Sequence, residues 1–579
     1  MSAFLKRHFF AIVIAVFVGS LMIAPQVAFR VSMGSAYRGI GLIMVQDATD
    51  AAWYHAVIHE TLEGGKPWNA ILADHKDGSY PVPDLAERII AMPGRVFHAG
   101  TDAVLLFWGF LLPTLLTLVI YAVGLRLTSS KAFSVVAALI VMCASPFLAD
   151  PAAAFATLAG TGAPFVFTLF DRPVHPQFDM PFVWLFLLLA TLAVMTPKKR
   201  RYWIAAGAIV GFLTYTYFWA WTWGYAAFAI LLVLAAVRKD PTAARAVLKA
   251  WGLAFVIGLP KLVASVTASL GSGGTGYAER LGLVVGNVAG PLSSMSVWLL
   301  GPSLAVGAVF LLVRQRLTSI QRTFIVVGLG ASVVAVSQHF VTRVMFNPDH
   351  YAALIGVLFA LWVLVLCAWT FLKDMPRCVA VSVAIIACVV ASAGMIGVQW
   401  RMFQQDRGYA ADLQPFADVA SWLNVHADAK TVVYANERIG LLVPAYTPAN
   451  LWWHSYAMAV PTTEPSRMDL AANVWFLENR LTADDIRVLA ADWPMNLAHF
   501  WTMTTVYEAR IALVNRDLDR WIASYDAFRQ TTTLPQAIRS HRIDYILHDN
   551  VEDRWDPRDF GVLDPVVQNG RFSLYPVQP

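Results

Sequence analysis

Charged residues are scarce in this chain. Only 14% of its 579 residues are Asp, Glu, Lys or Arg, whereas soluble domains carry about a quarter. Hydrophobic residues make up 58% of the chain, and its mean hydropathy is +0.57. These values exclude a wholly soluble protein and predict an integral membrane protein. The net charge of +5 is small for this length, so no nucleic acid is expected as a partner.

Cysteines and repeats are also few. No internal repeat of fixed period and no low-complexity tract is visible, which argues against a transporter built from paired repeats. The cysteines lie in or beside apolar segments, so a disulfide-stapled domain is not expected. They are Cys143, Cys367, Cys378 and Cys388.

Apolar segments of bilayer-spanning length follow one another through residues 1–399. A helix needs about 20 apolar residues to cross a bilayer, and eleven segments approach that length. The first is expected to remain as an uncleaved helix, because no small-residue cleavage site follows it. The segments lie near 9–29, 102–123, 132–149, 180–196, 203–219, 221–237, 250–270, 290–313, 323–340, 351–372 and 378–398.

Basic residues mark alternate loops between these segments. They gather at 126–131, 198–201, 238–249, 314–322 and 373–377. Because cytoplasmic loops are enriched in Lys and Arg, the N-terminus is predicted to be cytoplasmic. Residues 30–100 then form a large loop on the outer face of the cytoplasmic membrane.

The composition changes to that of a soluble domain at about Trp400. Short β-branched and aromatic runs at 431–435, 543–547 and 571–575 predict strands, and 482–528 is mostly helical. We therefore predict a polytopic α-helical membrane protein with about eleven transmembrane helices in residues 1–399. Residues 400–579 form a periplasmic or extracytoplasmic α/β domain.

Among the acidic residues of the first outward loop, Asp47 and Asp50 lie about one helical turn apart. On a helix lying on the membrane surface they would point the same way. One could accept the proton of an acceptor hydroxyl, or the pair could hold a divalent cation such as Mg²⁺ or Mn²⁺. Alternatively, Asp47 caps the helix and Asp50 is a first-turn charge favoured by the helix dipole.

This order of features resembles the GT-C superfamily of membrane glycosyltransferases. The shared features are a first span, a large outward loop with an acidic residue four before a Tyr (Asp50 and Tyr54), many further spans and an outward C-terminal α/β domain. The superfamily includes protein O-mannosyltransferases, aminoarabinose transferases and the oligosaccharyltransferase catalytic subunit. The resemblance implies a donor sugar on a polyprenyl phosphate or diphosphate, with Asp50 as the catalytic acidic residue and Asp47 as second choice.

The sequence also departs from those families. Ala51 follows Asp50, so the paired Asp-Glu of the mannosyltransferases is absent. The Trp-Trp-Asp-Tyr-Gly signature of the oligosaccharyltransferases is not found, and its nearest match is Trp452-Trp453-His454. Glycosylation of peptide Asn is therefore not implied.

Four basic side chains are candidates for binding the donor phosphate. A guanidinium at the interface, Arg172, suits a phosphate bidentately, and His175 could share that phosphate or bind a metal. Alternatively, Arg172 anchors to lipid headgroups or pairs with Asp171. Lys261 lies mid-span, where an ammonium usually pairs or lines a cavity, although it could also snorkel to the interface. The resemblance implies that Arg343, in a late outward gap, contacts the lipid phosphate.

The tail segment Trp452, Trp453 and His454 mixes stacking faces with hydrogen-bonding groups, as sugar sites do. It is a candidate acceptor site, and the same aromatics could instead pack the domain core or dock it on the membrane. The predicted function is an inverting glycosyltransferase that moves a sugar from a polyprenyl-phosphate donor to a glycan, lipid or protein acceptor. The alternatives are an O-antigen-ligase or polymerase-like enzyme without a carboxylate base, and a transporter or flippase of a lipid-linked solute.

Overall fold

The computed structural model of the chain describes most of its length. The described residues are 2–42, 50–74, 76, 82–161, 172–271, 280, 284–285, 305–342, 344–345, 350–460, 463–493, 497–502 and 507–577. The predicted site residues Asp47 and Arg343 lie outside them, as does Asp171.

The first 412 residues are almost entirely helical in their described parts. A short antiparallel pair, β1 (Val284–Val285) and β2 (Val344–Met345), is the exception. The helices are α1 (Ser2–Met33), α2 (Ala51–Leu62), α3 (Leu85–Phe97), α4 (Thr101–Thr128), α5 (Lys131–Ala149), α6 (Pro151–Ala159), α7 (Met180–Met195), α8 (Arg200–Leu213), α9 (Phe218–Val237), α10 (Pro241–Gly271), α11 (Ser319–Ser337), α12 (His339–Thr342), α13 (Val357–Leu372, after a π-helical turn at His350–Gly356) and α14 (Arg377–Asp412).

Within the described ranges, eight helices are long and apolar enough to cross a membrane. They are α1, α4, α5, α9, α10, α11, α13 with its π-helical turn, and α14. The predicted spans at 180–196 and 203–219 correspond to the shorter helices α7 and α8. Of the predicted span at 290–313, only 305–313 is described, and it is helical. The prediction of a polytopic helical membrane protein is confirmed.

Helices α8 and α10 pack closely because small residues line their interface. Gly207 and Gly211 are spaced four apart on α8, as in the small-residue motifs that let membrane helices approach. A Cβ on Gly207 would lie 2.5 Å from the Ala250 carbonyl oxygen, and one on Gly211 would lie 2.6 Å from the Ile257 Cβ. At both positions, α10 occupies the space that a side chain on α8 would need.

The C-terminal domain is built on a five-stranded sheet of order β4-β3-β5-β7-β6. β3 is parallel to β4 and β5, and β7 is antiparallel to β5 and β6. Its elements are α15 (Phe416–His426), β3 (Val432–Tyr434), α16 (Glu437–Gly440), α17 (Leu442–Tyr446), β4 (Asn450–Leu451), a 3₁₀ helix (Ser455–Ala459), α18 (Pro465–Glu478), α19 (Ala483–Asp492), α20 (Tyr507–Thr531), α21 (Leu534–Ser540), β5 (Tyr545–Asp549), a 3₁₀ helix (Pro557–Phe560), β6 (Val567–Gln568) and β7 (Phe572–Pro576).

The predicted C-terminal α/β fold is confirmed. The runs at 431–435, 543–547 and 571–575 form β3, β5 and β7. The two-residue strands β4 and β6 were not predicted, because two residues show no periodicity. The predicted boundary between residues 399 and 400 lies within α14, which runs on to Asp412.

The first long loop packs into the core of the C-terminal domain. Ala56 and Val57 of α2, with Ile71, share one hydrophobic cluster with the domain's sheet and helices. The Leu451 amide of β4 donates to the Ile71 carbonyl at 2.7 Å. α2 therefore packs within the protein, with its apolar faces covered by α3 and the domain, and its expected position on the membrane surface stays a prediction.

We expect Gly211→Val to destabilise the helix bundle. The added side chain would collide with Ile257, and overpacking of this kind costs roughly 1–3 kcal/mol. The thermal unfolding midpoint of the purified protein in lipid nanodiscs should fall by several degrees. The matched control is Gly252→Val on α10, where an added Cβ meets nothing within 4 Å. An unchanged midpoint for Gly211→Val would contradict the packing described.

Candidate active site

Asp50 stands at the N-terminus of α2 but does not cap it with its side chain. The carboxylate accepts no hydrogen bond from the first-turn amides of α2. Its Oδ2 instead lies 2.8 Å from Arg172 Nε, and its Oδ1 accepts a hydrogen bond from the Tyr456 hydroxyl at 2.7 Å. By contrast, Asp150 does cap its helix, since its Oδ1 accepts from the Ala153 amide at 2.9 Å. Asp50 is directed away from its own helix toward distant partners.

Arg172 lies in the turns that precede α7, and its guanidinium is enclosed by protein. It donates to the Tyr54 hydroxyl at 3.3 Å and lies over the Tyr54 ring, 5.4 Å from its centroid. Gln177 fixes the backbone here by donating to the Arg172 carbonyl at 2.9 Å. Burial lowers the pKa of Arg172, but the Asp50 carboxylate and the facing tyrosines outweigh it, so this pKa lies well above its usual range. Arg172 is a permanent cation of the site.

His175 is enclosed between two carboxylates. Its Nδ1 lies 2.6 Å from Asp179 Oδ2, and its Nε2 lies 3.1 Å from Glu87 Oε1. Burial lowers the pKa of His175, but Asp179 and Glu87 outweigh burial and raise this pKa to about 9. The ring is therefore an imidazolium at neutral pH, and both of its N–H groups are directed at carboxylates. Its predicted role toward phosphate or metal stays a prediction.

A row of stacked aromatic rings extends from His175 into the membrane domain. Tyr217, just before α9, stacks on the His175 ring with centroids 4.5 Å apart. Its hydroxyl lies 2.7 Å from Nδ1 of His350, and His350 stacks on Trp219 at 4.1 Å. With Tyr54, these rings give the site flat apolar faces beside its charges.

Glu87 and Tyr456 are two site residues that the sequence analysis missed. Glu87 lies in the first turn of α3, where an acidic residue is ordinary and signals nothing by itself. Tyr456 lies 406 positions after Asp50 in a segment considered only for its neighbouring tryptophans. Only tertiary contacts show that either belongs to the site.

Lys261, a further predicted phosphate ligand, bonds with its side chain to the backbone of the same region. Its Nζ donates to the Val82 carbonyl at 2.8 Å, just before α3. The Leu85 amide in turn donates to the Tyr215 carbonyl at 3.0 Å. These two bonds attach the start of α3 to the membrane helices beside Glu87.

The predicted acceptor residues lie inside the C-terminal domain. Trp452 is 2% exposed and Trp453 is 8% exposed, and both belong to the domain's hydrophobic core. His454 is also buried, with Nε2 3.1 Å from the Glu437 carbonyl oxygen. Its ring stacks on Tyr456, centroids 5.5 Å apart, so it adjoins the site without facing Asp50. Acceptor binding by these three residues stays a prediction.

Metal binding was left open by the sequence. Across the described residues, no group of three or more His, Cys, Asp or Glu side chains lies close enough to hold a metal ion. The divalent cation considered for Asp47 and Asp50 stays a prediction, since Asp47 is not described.

A groove opens between α1 and α4, close to the segment that follows Arg172. Apolar side chains such as Met22, Ile23 and Leu105 line most of it, and Arg30 and Asp102 stand at its polar end. Pro173, Val174 and Gln177, which follow Arg172 directly in sequence, line it as well. The groove thus runs from the site to the membrane-facing helices.

We expect a pH-dependent contribution of His175 to stability. A folded-state pKa of about 9 against 6.5 in the unfolded chain means that this contribution is full below pH 6.5 and is lost as pH rises through 9. The thermal midpoint of the wild type should therefore exceed that of His175→Gln most at pH 6 and least at pH 9.5. His426→Gln, at an exposed histidine, is the control. A difference that does not shrink with rising pH would contradict the imidazolium.

Comparisons with known proteins leave the family open. No family model matches the sequence, and no curated protein matches it. The chain is similar to two crystal structures of ArnT from Cupriavidus metallidurans, each 15% identical, with 80% of this chain and 94% of that chain covered. The structure bound to undecaprenyl phosphate gives a TM-score of 0.41 and the apo structure 0.44. Both TM-scores lie below 0.5, so the function is argued from the geometry of the site.

Proposed function

We propose that this protein is an inverting membrane glycosyltransferase that takes its sugar from a polyprenyl-phosphate donor. One observation carries the proposal, namely the ion pair between Asp50 and Arg172, with 2.8 Å between Oδ2 and Nε. It lies where α2, the turns before α7 and the C-terminal domain meet. A general base and a phosphate-binding cation are the two groups that such a transfer needs.

Asp50 is the base in this scheme. Its side chain is 27% exposed while that of Arg172 is 10% exposed, so an acceptor can reach the carboxylate. Glu87 and Asp179 are instead buried against His175. The acceptor hydroxyl gives its proton to Asp50 as its oxygen attacks the anomeric carbon. The bond from that carbon to the phosphate oxygen breaks on the opposite side, and a single displacement of this kind inverts the configuration.

Arg172 binds the leaving phosphate. A guanidinium can hold two phosphate oxygens at once, and this one is kept charged by its surroundings. The imidazolium of His175 lies behind Tyr54, whose ring centroid is 6.0 Å from that of His175, and its charge is balanced by Glu87 and Asp179. A phosphate on Arg172 competes with Asp50 for the guanidinium and so leaves the carboxylate available to the acceptor.

The groove between α1 and α4 suits the lipid part of the donor. Its apolar lining follows the helices, and its end at Pro173 adjoins Arg172. A lipid chain in the groove would bring an attached phosphate toward Pro173 and the neighbouring Arg172. The rings of Tyr54 and Tyr217 nearby offer flat faces for a sugar.

The reaction is assigned to the outer face of the cytoplasmic membrane. The site lies at the start of α7 and α9, and the opposite ends of these helices lead into the basic segments 198–201 and 238–249. Since basic loops remain in the cytoplasm, this arrangement supports a site and a C-terminal domain on the outer face.

Asp50→Asn should abolish transfer. The amide keeps the size of the side chain but cannot take the acceptor's proton, and removal of a general base costs about 100-fold or more in rate. The assay measures transfer of label to membrane lipid and glycan extracts by protein in nanodiscs, with a panel of radiolabelled undecaprenyl-phosphate sugars.

Asp150→Asn is the matched control for that variant, because Asn caps a helix about as well as Asp and Asp150 caps α6. The control should transfer at the wild-type rate. Undiminished transfer by folded Asp50→Asn protein would refute the role of Asp50 as the base.

Arg172→Lys should weaken donor binding. Lysine keeps the charge but loses the bidentate geometry, so the donor KM, and the Kd for undecaprenyl phosphate by titration calorimetry, should rise about tenfold. Arg201→Lys is the control, because Arg201 also donates to a tyrosine hydroxyl, that of Tyr202 at 3.1 Å, at the other end of the bundle. Equal donor affinities for Arg172→Lys and wild type would remove Arg172 from the phosphate site.

A further inference from the structure

Tyr456 joins the C-terminal domain to the carboxylate of Asp50. Its hydroxyl donates to Asp50 Oδ1 at 2.7 Å. Its ring stacks on Trp53 of α2, with centroids 5.0 Å apart and an interplanar angle of 6°. Tyr456 therefore makes a polar contact with Asp50 and an apolar contact with the helical turn that follows it.

The position of Tyr456 is set from the domain side. The Tyr456 amide donates to His454 Nδ1 at 3.2 Å, and the Ser455 amide donates to Glu437 Oε1 at 2.9 Å. Glu437 begins α16, and His454 Nε2 lies 3.1 Å from its carbonyl oxygen. The short 3₁₀ helix that carries Tyr456 is thus held by side chains of its own domain as well as by its contacts with α2.

Among the described residues, Asp50 contacts two partners of different kinds. Arg172 faces Oδ2 and is also the group that a phosphate would engage, whereas Tyr456 faces Oδ1 with its hydroxyl. Other titratable groups around this cluster are Tyr54, Tyr217, Glu87, Asp179, His175 and His350. When phosphate draws the guanidinium away, the Tyr456 hydroxyl continues to hold the carboxylate in place.

We infer that Tyr456 is a positioning residue for the reaction, holding the Asp50 carboxylate aimed at the acceptor, so that the active site is complete only with the C-terminal domain seated on α2. The inference rests on the proposed function, because it assigns Tyr456 to the base of that reaction. Tyr456 acts through Asp50 and does not itself touch the reacting atoms.

The test variant is Tyr456→Phe in the full-length protein in nanodiscs. The hydrogen bond that this variant loses is worth about 1.4 kcal/mol, which corresponds to a factor of ten in rate when the carboxylate is no longer held in place. The infrared carboxylate band that is absent from Asp50→Asn should shift in frequency in Tyr456→Phe, because the carboxylate has lost a hydrogen-bond donor. The kcat for sugar transfer should fall about tenfold, with both KM values within about twofold of wild type.

Tyr525→Phe is the matched control. Its hydroxyl donates to the Leu481 carbonyl at 2.9 Å inside the same domain, so the variant loses a buried tyrosine hydroxyl far from Asp50. The band and the kcat should both stay at wild-type values. If Tyr456→Phe does not fold, 3,5-difluorotyrosine at position 456 keeps the ring and makes its hydroxyl a stronger donor, and it should move the frequency of the band in the opposite direction.

The outcomes separate this inference from the proposed function. A carboxylate band that stays at the wild-type frequency in Tyr456→Phe overturns the positioning role, whether or not kcat falls. If Asp50→Asn is inactive but the band does not move in Tyr456→Phe, the proposed function is retained. Only the positioning role of Tyr456 is then refuted. Sugar transfer by the Asp50→Asn protein would refute Asp50 as the general base. Tyr456 would then have no role in catalysis through Asp50.

Discussion

The burial of one guanidinium is the constraint on which the site depends. A cation taken out of water is costly unless an anion and hydrogen-bond acceptors surround it. Arg172 meets Asp50 at 2.8 Å and the Tyr54 hydroxyl at 3.3 Å. These partners come from the start of α2, so the first long loop and the turns before α7 must be brought together for the fold to accommodate this charge.

The two cations of the site are neutralised in different ways. His175 lies between Glu87 and Asp179 and uses both ring nitrogens, which makes a closed network suited to holding α3 against α7. Arg172 shares a partly exposed carboxylate, so its ion pair is open to a competing anion. The same chemistry thus serves structure at one position and, in the proposed function, catalysis at the other.

The position of the C-terminal domain is fixed because it shares a hydrophobic core with the first long loop. Ala56 and Ile71 belong to the same hydrophobic cluster as the domain's strands, and Ile71 accepts a hydrogen bond from Leu451 at the sheet edge. This packing brings Tyr456 to Asp50 across 406 positions of sequence. A domain tethered only by α14 would lack that fixed relation.

Hydropathy and strand patterning in the sequence alone determined the membrane helices and the α/β tail, because burial in lipid and in a sheet leaves local periodicities. Residue chemistry also singled out Asp50 and Arg172. Local pattern could not decide whether Asp50 caps its helix, or that Trp452 and Trp453 are buried in the domain core. It held no sign of Glu87 or Tyr456, since their partners lie 88 and 406 positions away. Contacts over such separations come from the packing of whole helices and domains, and only the tertiary structure decided them.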